Sequence, residues 1–522
     1  ERVAAIDIGS NSIRQIVADV SRDGAIRVID EMKEAPRLGA GLSETGSLSE
    51  EAMQRARAAV VRMVTLAHQL GAGRVEAVAT SAVREAANSA EFVQSLEREA
   101  KLQVRVLNGD DEARLGFLSA LAHFDLAVGR AAVVDIGGGS LELALSADGL
   151  VDRLLSLPLG AIRLTEAHLS PTCARDEVLA LRKRARRELR AHLPAREWRG
   201  AQMIGSGGTV TNLAAMALAR QGLAAARTVH GTRVSRVEVE HILDALADTT
   251  LAERQAMPGL NTGRADIIVA GLAVVAEVMA RLEANELVVS AYGIREGLLL
   301  ETAKVMPALA APGDARQRSV QALADRCHYE ERHSRQVQRL ALQLFDAIGQ
   351  RLGCEPAERQ VLADAALLHD IGYHISYDKH HKHSYYLILH AELLGMSPAE
   401  QMAVANVARY HRGSEPKKKH RNFGVLDKPT RDRVKRLAAI LRVADGFDRG
   451  HAAVVDCIRV QWFGRALRLT AVPHEPQHTL RLELWGAGRK AELLSELAGV
   501  PVEIAAPGGE VAARSGEEGE AA

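Results

Sequence analysis

A chain of 522 residues is too long for one hydrophobic core, so several domains of about 100–200 residues each are expected. Lys+Arg and Asp+Glu both number 66; the net charge therefore announces no nucleic-acid or polyanion partner, and any such surface must come from local clustering. Cys173, Cys327, Cys354 and Cys457 are scattered without a CxxC pair, which argues against a disulfide framework or thiolate metal site and for a reducing, cytoplasmic setting. The longest apolar run, residues 267–278, contains Glu277 and falls short of the ~20 residues that cross a bilayer, so it reads as a buried helix and no transmembrane segment is expected.

Through residue 305 or so, short β-rich runs alternate with amphipathic helical runs, the pattern of an α/β fold. Strands are predicted at 3–8, 13–20 and 25–32, and Ser47-Leu48-Ser49-Glu50 reads as a capping box opening a helix to residue 70. Strands at 75–79 and 104–107 flank a helix at 89–100. Near residue 131 the pattern restarts with strands at 131–135, 141–145 and 151–157, so the chain reads as internally duplicated. Asp7-Ile8-Gly9-Ser10-Asn11-Ser12 and Asp135-Ile136-Gly137-Gly138-Gly139-Ser140 share the pattern D-I-G-x-x-S, each between two strands. A strand at 202–204 then meets Gly205-Ser206-Gly207-Gly208-Thr209, which opens a helix at 210–219.

Beyond Met306-Pro307 and Pro312-Gly313 the texture turns to long Leu/Ala/Arg helical patterns. Residues 454–504 alternate in Cys457–Trp462 and Thr479–Leu484 like a small α+β domain, and Gly, Ala and Glu dominate from about 506. The expected division is 1–125 and 126–305 as two α/β domains, 306–452 helical, 453–505 α+β, and 506–522 a disordered tail.

A turn that lies against phosphate oxygens needs residues without bulky Cβ groups, so that successive N–H groups converge on the anion. Gly137, Gly138 and Gly139 provide this, and Ser10, Asn11, Ser12 and Ser140 add polar donors. Gly207, Gly208 and Thr209 set a helix N-terminus against the same anion. One such turn is more often a tight connection than a site; three at strand ends of one α/β region favour the site. Asp7 and Asp135 close their strands, and Glu142 shares a strand face with Ser140, so carboxylates gather where a divalent cation or attacking water would sit.

These segments, with Thr80-Ser81-Ala82-Val83-Arg84-Glu85-Ala86, Gly109-Asp110-Asp111-Glu112-Ala113-Arg114 and Tyr292-Gly293-Ile294-Arg295-Glu296-Gly297, make residues 3–450 resemble the exopolyphosphatase/guanosine pentaphosphate phosphohydrolase family of the actin, sugar-kinase and heat-shock chaperone superfamily. The resemblance implies two duplicated actin-like (ribonuclease H-like) domains, an all-α HD-like domain and a small α+β domain. It implies hydrolysis in the cleft between the duplicated domains, with Glu112 as the base that orients water. Asp135 and Glu142, with Asp7, would hold Mg²⁺ or Mn²⁺, and Arg84 would neutralise phosphate oxygens. Asp111 stands where the family usually has Glu. Read without the family, Glu112 is a first-turn carboxylate complementing a helix dipole, and Arg84 a surface ion-pair partner.

His333, His369-Asp370 and Asp445 have the order H…HD…D of the HD phosphohydrolase fold, which implies a possible second divalent-metal site; the alternative is a metal-free substrate platform. His374, His380, His381, His383 and His411 lie in the same region. Arg182, Arg186 and Arg190 recur every four residues as a cationic stripe, and Lys417, Lys418 and Lys419 form a second cluster. Both suit a polyanion path, although a charge run is usually a solvated face. Neither carries aromatics that would stack bases, which disfavours nucleic acid.

The expected function is release of terminal orthophosphate from inorganic polyphosphate by a homodimer. The alternatives are hydrolysis of guanosine pentaphosphate at the same site, a nucleotide-binding kinase or chaperone-like ATPase, or catalysis on nucleotides by the HD-like domain.

Overall fold

The buried apolar run Val3-Ala4-Ala5-Ile6 makes β1 (Arg2–Ile8) a central strand covered on both faces. In this computed structural model, which describes residues 1–22, 24–193, 195–224, 226–306, 314–508 and 511–514, β1 pairs antiparallel with β2 (Ile13–Val20), and β3 (Ile26–Glu34) continues the meander. Strands β4 (Arg74–Ala79) and β5 (Val104–Val106) add in parallel, giving the order β3-β2-β1-β4-β5. The crossover from β3 to β4 is the helix Glu50–Gln69. Its N-cap is Ser49, whose hydroxyl accepts from the Ala52 N–H at 3.3 Å, so it starts two residues later than a cap at Ser47 predicts.

A second sheet contains β6 (Arg130–Ile136), β7 (Leu141–Ala147), β8 (Leu150–Leu157), β9 (Gln202–Ser206), β10 (Arg233–Ser235) and β11 (Glu286–Val289). Its order is β10-β11-β9-β6-β7-β8, so β8-β7-β6-β9-β11 repeats the first sheet strand for strand. The registers repeat too: Asp7 pairs with Arg14 across the first hairpin, and Asp135 with Glu142 across the second. Behind the second sheet, the helix Ile268–Leu282 is buried along nearly its whole length, Glu277 included.

The described chain separates into two units, Glu1–Ala224 with Thr228–Ala315, and Arg316 onward with Ala225–Arg227. Both sheets above belong to the first. In the second, the helices Glu331–Ile348, Glu358–Leu368, His380–His390, Pro398–Arg409 and Lys428–Gly446 precede a four-stranded sheet of β12 (Val455–Phe463), β13 (Ala466–Pro473), β14 (Val502–Ala505) and β15 (Val511–Arg514). Pro307, Pro312 and Gly313 lie outside the described residues.

Two expectations are corrected here. Thr479–Leu484 is not a strand: Arg481–Lys490 is helical, because Leu480, Leu484, Ala487 and Ala491 are buried at helical spacing while Leu482 and Trp485 are exposed. The expected tail contains a strand as well. Val511–Arg514 pairs antiparallel with β14, since Val511-Ala512-Ala513 interrupts the Gly/Glu-rich stretch; residues 515–522 lie outside the described set.

Among the described residues no helix is long and apolar enough to cross a membrane, and all four cysteines are free.

Candidate active site

Each D-I-G-x-x-S turn is closed by the same hydrogen bond, from Gly9 N–H to Ser12 O at 3.1 Å and from Gly137 N–H to Ser140 O at 3.0 Å. The turns meet at one cavity of about 120 Å³, which Asp7, Glu112, Asp135 and Glu142 all line. Their approach requires bare backbone: a Cβ on Gly138 would sit 2.9 Å from Ser10 Cβ, and one on Gly139 would collide with Ser81 Oγ.

The third glycine turn joins them. Gly207 has φ +85°, a left-handed conformation, and a Cβ there would collide with Asp135 Oδ1; one on Gly208 would displace the Arg264 guanidinium. Thr209, placed by sequence in the phosphate group, is instead buried against Gly271, and Thr211 two residues later lines the cavity. The register explains this: Gly207–Arg220 is already helical, so only one face of its first turn sees the cleft.

Glu112 lies in the first turn of the helix Gly109–His123, whose N-cap Asn108 accepts from the Asp111 N–H at 2.8 Å. The packing that brings it to the second sheet is close, since a Cβ on Gly109 would collide with Ser156 of β8. Glu112 is 3% exposed, and burial pushes its carboxyl up to about 7 against the pull of Arg84. The Arg84 guanidinium donates to Glu112 Oε1 and, at 2.7 Å, to the Leu107 carbonyl. Arg84 therefore reaches the cavity through Glu112.

The other carboxylates are also held toward their neutral forms. Burial raises Asp7 to about 6, with Arg14 and Arg295 opposing, and raises Asp135. Glu142 rises well above the ordinary range through burial and then through Glu112, while accepting from Ser156 Oγ at 2.9 Å. Asp7 Oδ1 is buried without a hydrogen-bond partner. Four crowded carboxylates with an unsatisfied hard oxygen fit a divalent cation such as Mg²⁺.

Facing them are Arg14, Arg264 and Arg295, none given a role from sequence. Burial and Arg14 draw Arg264 down to about 10, whereas Arg295 pairs with Glu31 at 2.9 Å and Glu296 at 3.4 Å. Arg14 was detectable, being two residues beyond Ser12 and hence on its strand face. Arg264, in a short 3₁₀ turn (Thr262–Arg264), has no local signal.

The remaining predicted residues lie elsewhere. Arg182 and Arg186 hold the buried Glu277 at 2.7 and 2.8 Å, and Arg182 also pairs with Glu240, so the stripe is in large part internal ion pairs; Arg190 is exposed. Lys417, Lys418 and Lys419 are exposed in a loop of the second unit. His333, His369, Asp370 and Asp445 converge there, with His333 Nε2 at 3.6 Å from both Asp370 and Asp445.

Comparison with known proteins follows the same division. The model of the Ppx/GppA phosphatase family matches residues 16–305, and that of Ppx/GppA phosphatase domain III matches residues 315–462. The Aquifex aeolicus member of the Ppx/GppA family is 30% identical, with a TM-score of 0.51 over 58% of this chain and 97% of that one. An exopolyphosphatase from Cytophaga hutchinsonii is 25% identical, with a TM-score of 0.54 over 60% of this chain and 100% of its own. An exopolyphosphatase-like protein is 29% identical, with a TM-score of 0.54 over 58% of this chain and 97% of its own. The first of these matches alone spans more than half of the chain, which therefore belongs to the Ppx/GppA phosphatase family.

Proposed function

We propose that the front cleft releases terminal orthophosphate from inorganic polyphosphate by direct attack of water. The carrying observation is that Glu112, oriented by Arg84, opens into the same cavity as all three glycine turns. The two repeated sheets are read as the duplicated actin-like pair. The phosphoryl transition state is loose, so the chain needs to position the anion, neutralise its oxygens and aim one water; no covalent nucleophile is required.

Backbone N–H groups of the three turns and the cations Arg14, Arg264 and Arg295 bind and orient the terminal phosphate. Glu112, poised near neutrality, accepts the proton of the attacking water. Asp135, Glu142 and Asp7 would hold Mg²⁺, which when bound supplies charge neutralisation to phosphate oxygens.

Polyphosphate is preferred to guanosine pentaphosphate because the aromatic side chain in the cavity wall, Tyr292, already stacks on His123 at 3.9 Å. A guanine would have to find its stacking face elsewhere. Orthophosphate release from long polyphosphate and from guanosine pentaphosphate, measured on one preparation, tests this. A lower kcat/KM for polyphosphate would reverse the substrate assignment, and unchanged turnover in Glu112→Gln would remove the site itself.

A further inference from the structure

Asn212, on the helix Gly207–Arg220, is 9% exposed, and both ends of its amide are engaged. Its Nδ2 donates to the Gly208 carbonyl at 2.7 Å, and its Oδ1 accepts from the Asn261 N–H at 2.7 Å. A carbonyl only accepts and a backbone N–H only donates, so these partners fix which way the amide points. The side chain thereby joins the third glycine turn to a segment 49 residues further along the chain.

Asn261 passes the constraint on. Its Oδ1 accepts from the Gly263 N–H at 2.9 Å and its carbonyl from the Arg264 N–H at 2.9 Å, closing the 3₁₀ turn Thr262–Arg264. The far side of that turn is pinned by Arg254, 1% exposed, which donates to the Ala265 carbonyl at 2.8 Å and to the carbonyls of Thr249 and Pro171. A guanidinium buried against carbonyls carries a large desolvation cost, so the turn it braces has a fixed place. Arg264 needs such support. Its guanidinium lies over Gly208 and lines the cavity, yet it donates no hydrogen bond to the described residues. With five donors unengaged, the group is aimed from its backbone.

We propose that Asn212 is a positioning residue for phosphate binding: through Asn261 it holds Arg264 over Gly208, so that the guanidinium and the N–H groups of the third glycine turn face the anion as one fixed set. This role rests on the front cleft being the phosphate site. Donors already in place when the anion arrives need no reorganisation, which is what phosphoryl transfer requires of the protein. Asn212 does not itself line the cavity, so its effect on the substrate has to pass through the groups it ties together.

Wild type, Asn212→Ala, Arg264→Ala and the double variant are compared as full chains in orthophosphate release from polyphosphate, beside Glu112→Gln. Asn212→Ala should lower kcat/KM about tenfold, through KM, and weaken competitive inhibition by orthophosphate in step. In the Arg264→Ala background the same change should cost no more than about twofold, since the group it positions is gone. A brace of the fold alone would lower the melting temperature and act equally in both backgrounds. Should Asn212→Ala not fold, Asn261→Ala, at an exposed position, takes its place in the same comparison. A factor that persists without Arg264, or an unchanged kcat/KM, overturns the positioning role. Unchanged turnover in Glu112→Gln overturns the cleft assignment beneath it.

Discussion

The Arg84 guanidinium donates to the buried Glu112 carboxylate, so one side chain orients the other and opposes the rise in proton affinity that burial imposes on it. Replacing Glu112 by Gln keeps the shape and removes the carboxylate proposed as the base. Phosphate release should fall about 10²–10⁴-fold in kcat with little change in KM, as steady-state assays on polyphosphate would check.

Arg84→Ala should act on the pH profile. Glu112 must be ionised to accept a proton, so kcat/KM should fall as pH drops through about 7. Because Arg84 pulls that carboxyl down, its removal should move the acid limb to higher pH. A limb that stays in place would mean that another group limits the rate.

Stability should carry the same signature. The folded cleft raises Glu112 from 4.5 to about 7 and Asp7 from 3.8 to about 6, so the native state binds protons that the unfolded chain has released. Their stabilising contribution is complete below the unfolded values and is lost as pH rises toward 7. The melting temperature should fall across that window, and Glu112→Gln should flatten the slope.

Gly207→Ala should be costly. The left-handed backbone adds about 1–3 kcal/mol of strain, and the new methyl group meets Asp135 Oδ1. Gly208→Ala meets only the movable Arg264 guanidinium, so it should raise KM with a smaller change in melting. Calorimetry beside steady-state kinetics separates the two.

Arg182→Ala removes charge-assisted bonds to Glu277 and Glu240 and should destabilise the fold by about 2 kcal/mol in denaturant titrations. KM for polyphosphate should hardly move. Arg190→Ala, on the exposed side, should leave stability alone and weaken long chains at low salt if the stripe meets polymer.

What the sequence made legible was local. D-I-G-x-x-S between two strands announces a turn by its own chemistry, and the restart near residue 131 appears as a repeated sheet order. Arg264 was invisible because its position depends on chain far from both turns. Thr209 was misassigned because residue spacing alone did not say which face of a helix would look inward. Residues 479–484 alternate over six positions, too short a window to separate a strand from the helix that 480–491 reveal. Arg182 and Arg186 looked like a free stripe because their partner, Glu277, lies about 90 residues away, within an otherwise apolar helix.

The hairpin registers carry one more consequence. Arg14 and Glu142 occupy the same rung of twin ladders, opposite Asp7 and Asp135. The molecular symmetry is therefore broken in sign at a matched position on the cleft wall. One half thus sets a guanidinium on the cleft wall where the other sets a carboxyl group, so a single cavity has opposite charges on equivalent rungs of its two sheets.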